Sequence, residues 1–121
     1  MAPNIQNNMS ADKTLYVFDI VHASCNRFQN GFGGIGPVRI VKSPKEAVSA
    51  AAIVVSMVPG PNQVRTVYLS DVDGVIAGPE SPGKILLDFS TVDIETAKEV
   101  AAVIMKARCG IYVDAPVSLY L

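Results

Sequence analysis

At 121 residues the chain fits one ordinary domain and is too short for two. Half of its residues are hydrophobic and 17% are charged, and no apolar run reaches the roughly 18 to 20 residues that cross a bilayer, so the composition points to a soluble globular chain and away from a membrane partner. Ten basic residues against eleven acidic ones, with no block of like charge, exclude the electrostatic footprint of a nucleic-acid binder.

The opening Met1-Ala-Pro-Asn-Ile-Gln-Asn-Asn has neither a basic region followed by an apolar core nor an Arg-rich amphipathic pattern, which leaves a cytoplasmic location as the default. Residues 15–18 are the first strand candidate and end in Asp19. An acid at that point can accept hydrogen bonds from a ribose diol and repel a 2′-phosphate; it can equally cap the helix that begins near Val21. His22 is a lone imidazole and reads as surface. Gly31-Phe32-Gly33-Gly34-Ile35-Gly36 spells G-x-G-x-x-G, the letters of a dinucleotide loop, but in the wrong context. A phosphate loop leaves a strand and opens a helix, whose free amides meet the phosphates; this run leaves a helix ending near Asn30 and enters the next strand, 38–41. It reads as a turn.

Ser43-Pro44-Lys45-Glu46 combines a capping serine, proline at the first helical position and glutamate three residues after the cap, predicting a helix over Pro44–Ala50. A third strand is expected over 53–58 and is broken by Val58-Pro59-Gly60-Pro61. A helix over 62–69 then places Val64, Val67 and Tyr68 on one side. Asp73-Gly74 and the run from Gly78 to Gly83 read as surface connections. After a fourth strand over 85–89, Asp93 is a plausible cap for the longest helix, 94–108. Its apolar stripe is Ala97, Val100, Ala101, Ile104 and Met105, and Gly110 supplies the stop. The fifth strand is 111–113. Strands alternating with helices predict βαβ units and a doubly wound parallel α/β sheet covered on both faces. Cys25 and Cys109 belong to no C-x-x-C pair or His/Cys cluster, so reduced thiols and no metal site are expected.

Five segments then line up in order: Val17-Phe18-Asp19, Ser43-Pro44-Lys45-Glu46-Ala47, Ile53-Val54-Val55-Ser56-Met57-Val58-Pro59, Leu87-Asp88-Phe89-Ser90-Thr91-Val92-Asp93 and Val113-Asp114-Ala115-Pro116-Val117-Ser118. Together they resemble successive motifs of the β-hydroxyacid dehydrogenases, the group that includes 3-hydroxyisobutyrate dehydrogenase. The resemblance spans nearly the whole chain, and D-A-P-V-S is its most specific part. It implies a Rossmann-like NAD(P)-binding domain of about five strands, acting in hydride transfer between a nicotinamide cofactor and a small 3-hydroxy acid. It also implies cofactor contacts at Asp19 (adenosine ribose), Val58 and Pro59 (lining), Gln63 (following helix) and Thr91 (nicotinamide side), with Ser118 on the substrate. Singly these residues have plainer readings: a strand end at Val58-Pro59, a helix cap at Thr91, a terminal residue at Ser118. Asp19 favours NAD over NADP.

The sequence departs from the family at both ends. Met1-Ala-Pro-Asn-Ile resembles the helix that follows the family's glycine loop, so the first strand and that loop are expected to be absent, leaving one incomplete domain over 1–121. Leu119-Tyr120-Leu121 stands where the family has two glycines followed by the catalytic lysine and a helical domain. No catalytic residue is assigned, and Lys84, Lys98 and Lys106 read as solvated. The chain alone is expected to be inactive, with cofactor binding weak or lost and NAD up to millimolar leaving its melting unchanged. A mitochondrial parent is left open. The alternative function is a catalytically inactive binding module that pairs with a full-length relative. A receiver-like signalling domain with Asp19 or Asp88 as phospho-acceptor lacks the acidic pair it needs. Without the family's first strand, 15–18 are expected to close directly against 53–58; the other outcomes are an edge supplied by another chain and a poorly folded piece.

Overall fold

The structure, a computed structural model, describes residues 14–18 and 38–115. Asp19, His22, Cys25, the glycine run at 31–36 and Ser118 lie outside the described residues. The chain divides into two compact units, Met1–Lys42 and Ser43–Leu121.

In the first unit, β1 (Leu15–Val17) pairs in parallel with β2 (Val38–Ile40), with Leu15 opposite Val38 and Val17 opposite Ile40. The Val41 amide donates to the Val17 carbonyl at 2.9 Å, carrying the ladder one residue further. Val38 and Val41 are buried, as β-branched side chains on a pleated surface favour.

The second unit runs α1 (Pro44–Ala50), β3 (Ile53–Ser56), α2 (Pro61–Leu69), a 3-10 turn (Val75–Ala77), β4 (Ile85–Asp88), α3 (Ile94–Ala107) and β5 (Ile111–Asp114). Each helix begins where its chemistry dictates. Ser43 Oγ accepts from the Glu46 amide at 3.1 Å, Pro61 opens α2 with its φ preset, and Asp93 Oδ2 accepts from the Thr96 amide at 3.2 Å. The three strands are parallel in the order β3-β4-β5, with Ile53, Ile85 and Ile111 in one row and Ser56, Asp88 and Asp114 in another.

Strand alternation sorts the side chains onto two faces. Val54, Leu86 and Tyr112 face a core completed by Val48 of α1, Val64 and Tyr68 of α2, Val75, and Val100, Ile104 and Cys109. The other face carries Ile53, Val55, Ile85, Leu87, Ile111 and Val113, and Ile53 is 60% exposed and Ile111 55%. Right-handed crossovers that step repeatedly in one direction put α2 and α3 on the same side, so the described residues of this unit do not cover the second face as the sequence reading expected. Arg65 joins the two helices, its Nε lying 3.0 Å from Glu99 Oε2 and its Nη2 donating to Thr96 Oγ1 at 3.1 Å.

Several expectations shift. The closure of 15–18 against 53–58 is not among the pairs of the described strands, which form one two-stranded and one three-stranded sheet. Consecutive strands pair preferentially, and both sheets follow that rule. Met105 is 72% exposed, because it lies about 100° round the helix from Ile104, whereas Thr96, four residues before Val100, is buried. The left-handed residue that ends α3 is Arg108 (φ 57°), and Gly110 (φ 148°) instead lets β5 start against β4. Asp73-Gly74 is no mere surface connection: Gly74 is buried and leads Val75 into the core. Nor is Lys84 simply solvated, since its Nζ donates to the Val48 carbonyl at the end of α1.

Candidate functional site

In open parallel sheets ligands bind beyond the carboxyl ends of the strands. At that end of the second unit, β3 runs into the turn Met57-Val58-Pro59-Gly60, β4 into Phe89-Ser90-Thr91-Val92, and β5 into Ala115. Backbone bonds tie the ends together: the Phe89 amide donates to the Ser56 carbonyl at 2.8 Å, and the Ala115 amide to the Asp88 carbonyl at 2.9 Å.

Of the residues singled out from the sequence, four are described here. Pro59, Gln63 and Thr91 are exposed and Val58 is half-buried. Gln63 folds back toward the turn, so that a Cβ on Gly60 would come within 3.2 Å of its Oε1. Thr91 does not cap α3; Asp93 does, and Thr96 Oγ1 donates to Asp93 Oδ1 at 2.5 Å. That contact, reinforced by the Arg65 charge, holds the Asp93 carboxyl below its ordinary range. The structure thus brings Val58, Pro59, Gln63 and Thr91 to one end of one sheet.

Beneath these turns lies a polar cluster that the sequence reading did not assemble. Asp88 is fully buried, and its carboxylate accepts from Ser56 Oγ at 3.0 Å and the Ser90 amide at 3.0 Å on one oxygen, and from Tyr112 Oη at 2.6 Å on the other. Ser56 has one hydroxyl proton, so the 2.6 Å contact between Ser56 Oγ and Tyr68 Oη is donated by the tyrosine. Ser90 Oγ in turn accepts from the Val58 amide at 2.8 Å. Burial raises both phenols, the negative charge of Asp88 adds to this, and in Tyr112 the hydrogen bond to Asp88 does so too; both stay neutral donors. Their rings pack edge to face at 5.1 Å. Asp114, beside Asp88, is likewise raised by lost hydration and by that neighbouring charge. The available signal was an acid closing the otherwise apolar run Ile85-Leu86-Leu87-Asp88. What could not be read was that Tyr112 reaches it from β5 and that Tyr68, from α2, reaches its partner Ser56.

Among the described residues no group of His, Cys, Asp and Glu is placed to hold a metal ion, and no helix is long and apolar enough to cross a membrane. The exposed end offers a hydroxyl and an apolar proline turn on the loops that follow parallel strands, and a side-chain amide in the first turn of α2.

That architecture is the open parallel α/β class, in which ligands bind at the carboxyl ends of the strands. The chain belongs to the NAD-binding domain family of 6-phosphogluconate dehydrogenase, whose pattern it matches over residues 1–118. Among curated relatives it is 33% identical over 112 residues to the probable mitochondrial 3-hydroxyisobutyrate dehydrogenase of Dictyostelium discoideum, covering 93% of this chain and 32% of that protein. It is also 33% identical over 117 residues to the NAD-dependent L-serine dehydrogenase of Pseudomonas aeruginosa, covering 97% and 37%. Among solved structures, the Mycobacterium tuberculosis 3-hydroxyisobutyrate dehydrogenase with L-serine superposes with a TM-score of 0.71 at 29% identity, over 97% of this chain and 36% of that one. The chain therefore spans about a third of the length of these relatives.

Proposed function

We propose that the chain supplies the cofactor side of a dehydrogenase that moves a hydride between a nicotinamide dinucleotide and a small 3-hydroxy acid. The observation that carries this is the gathering of Val58, Pro59, Gln63 and Thr91 at the carboxyl end of the β3-β4-β5 sheet, in a chain matched to an NAD-binding family over residues 1–118. When bound, the cofactor provides the hydride chemistry, and the protein's part is to hold and orient it. The Val58-Pro59 turn gives an apolar surface for it, and the Thr91 hydroxyl and Gln63 amide give hydrogen bonds. Asp19 takes the adenosine ribose and favours NAD over NADP, while Ser118 takes the substrate. The relatives' names point to 3-hydroxyisobutyrate and L-serine, both of which carry a hydroxyl one carbon removed from the carbon bearing the carboxylate.

Affinity for the cofactor is weak in this chain, since its one G-x-G-x-x-G stands in sequence just ahead of β2, which begins at Val38, where a phosphate loop needs a helix. A dissociation constant in the millimolar range corresponds to only about 4 kcal/mol of binding. Amide chemical shifts followed as NAD is added test the reading where melting would not respond. Saturable shifts at Val58, Gln63 and Thr91, smaller with NADP, are expected. Shifts confined elsewhere, or none at concentrations well above millimolar, would overturn it. Oxidation of 3-hydroxyisobutyrate by the chain alone is not expected, since no residue of it is assigned as the acid/base group, and measurable turnover would contradict this.

A further inference from the structure

We infer that Asp88 is a positioning residue: through Ser90, its buried carboxylate holds the turn after β3 and the turn after β4 in a fixed relation. Its value for the cofactor rests on the proposal that these two turns face the nicotinamide dinucleotide.

Leu86 shows that this side of β4 accepts an aliphatic side chain, and a fully buried carboxylate is costly unless both its oxygens are hydrogen-bonded. Three donors converge on Asp88: two hydroxyls from β3 and β5, and the amide of Ser90. Hydrogen bonds to an ionised acceptor are the stronger kind. The bond to the Ser90 amide joins residues two apart and so curls the chain tightly as it leaves β4. That curl sets Ser90, itself 1% exposed, under the neighbouring turn, where its Oγ accepts the Val58 amide at 2.8 Å. Thr91 follows Ser90 directly and Pro59 follows Val58, and consecutive Cα atoms are about 3.8 Å apart. Both exposed ligand-side residues are thus one peptide from a group whose place Asp88 sets. Tyr112 braces the carboxylate directly from β5, and Tyr68 of α2 does so through Ser56 of β3, so its position depends on all three strands and the helix between two of them.

Two variants separate this role from plain core support. Ser90→Ala removes the acceptor for the Val58 amide and leaves Asp88 intact. Asp88→Asn keeps the shape and removes the charge. Hydrogen exchange is read residue by residue, with Leu86 and Ile104 as core references, and the same samples are titrated with NAD and with AMP. In Ser90→Ala, protection at Val58 is expected to fall about tenfold, the size of a lost buried hydrogen bond, while Leu86 and Ile104 change less than about twofold. NAD should bind at least about threefold more weakly and AMP as before, because only NAD reaches the nicotinamide-side turn. Asp88→Asn should add a loss of protection at Ser90. Unchanged protection at Val58, or a loss at Leu86 equal to that at Val58, overturns the inference, as does equal weakening of NAD and AMP. If the unaltered chain binds neither nucleotide, the cofactor reading falls, and the exchange pattern alone decides the positioning role: local loss upholds it and uniform loss overturns it.

Discussion

Replacing Gly110 with alanine perturbs the point where β5 joins the sheet. Gly110 has φ 148°, a region that L side chains rarely enter, and a Cβ there would lie 2.7 Å from the Lys84 carbonyl oxygen and 3.2 Å from Leu86 Cδ1. The carbonyl cannot simply retreat, because it accepts the Ile111 amide at 2.7 Å in the first rung of the β4-β5 ladder. The backbone conformation alone accounts for about 1–3 kcal/mol. Weakening that rung adds about 1 kcal/mol, for a total of roughly 2–4 kcal/mol. Against a denaturant slope of about 1–2 kcal/mol per molar urea, the unfolding midpoint should drop by roughly 1–4 M, followed by circular dichroism at 222 nm. Gly83→Ala is the internal control. Nothing lies within 4 Å of its added Cβ, so a change within about 0.5 kcal/mol is expected. A midpoint shift below about 0.3 M for Gly110→Ala, or equal shifts for the two variants, would refute the claim that β5 needs glycine to begin where it does.

Tyr68 and Tyr112 have pKa values raised above the ordinary 10.0 in the folded protein, so the stability they confer is complete below pH 10 and is lost as the pH climbs beyond it. Absorbance at 295 nm should show these two phenols ionising only together with alkaline unfolding; ionisation in the folded state would contradict their burial. Asp114→Asn removes a carboxylate that sits unfavourably beside Asp88. After allowance for its exposure it should stabilise by about 0.2–0.5 kcal/mol at pH 7. Because the folded pKa of Asp114 is the higher one, that gain should vanish below its ordinary 3.8, where both states are protonated, as melting at pH 3 would show. Ser43→Ala deletes the side-chain cap of α1 and should lower stability by about 1 kcal/mol in the same urea assay, whereas Met105→Lys, on an outward position, should leave the midpoint unchanged within error.

The elements were legible because their signals are local. Ser43-Pro44 begins α1, and Pro59-Gly60-Pro61 ends β3 and opens α2. Asp93 caps α3, whose inner positions follow the helical period except at Met105. Strand ends moved by a residue or two, since pairing and not composition decides where a ladder stops. The parallel α/β class followed from the same alternation. Less legible was whatever depends on several elements meeting: the sheet partners of the strand at Leu15, the burial of Gly74, and above all the convergence of Ser56, Ser90 and Tyr112 on Asp88, with Tyr68 behind Ser56. Nothing at spacings of 12, 24 or 32 residues marks these as neighbours. The ligand-side residues Val58, Pro59, Gln63 and Thr91 came from motif resemblance, and their shared location at one sheet end is a consequence of parallel strands pointing the same way.

The central place of β4 also has a kinetic side. Its two ladders join residues 32 and 26 positions apart, so neither partner strand can pair until a helix and its connections have been laid out between them. Closing such loops gives no contact until the ends meet, which slows parallel sheets relative to hairpins. During that interval the run Ile85-Leu86-Leu87 is bare on both faces and free along both edges, the state in which a short apolar strand most readily finds a wrong neighbour. For this chain the yield on refolding should therefore depend steeply on concentration, with β4 the segment that sets the limit.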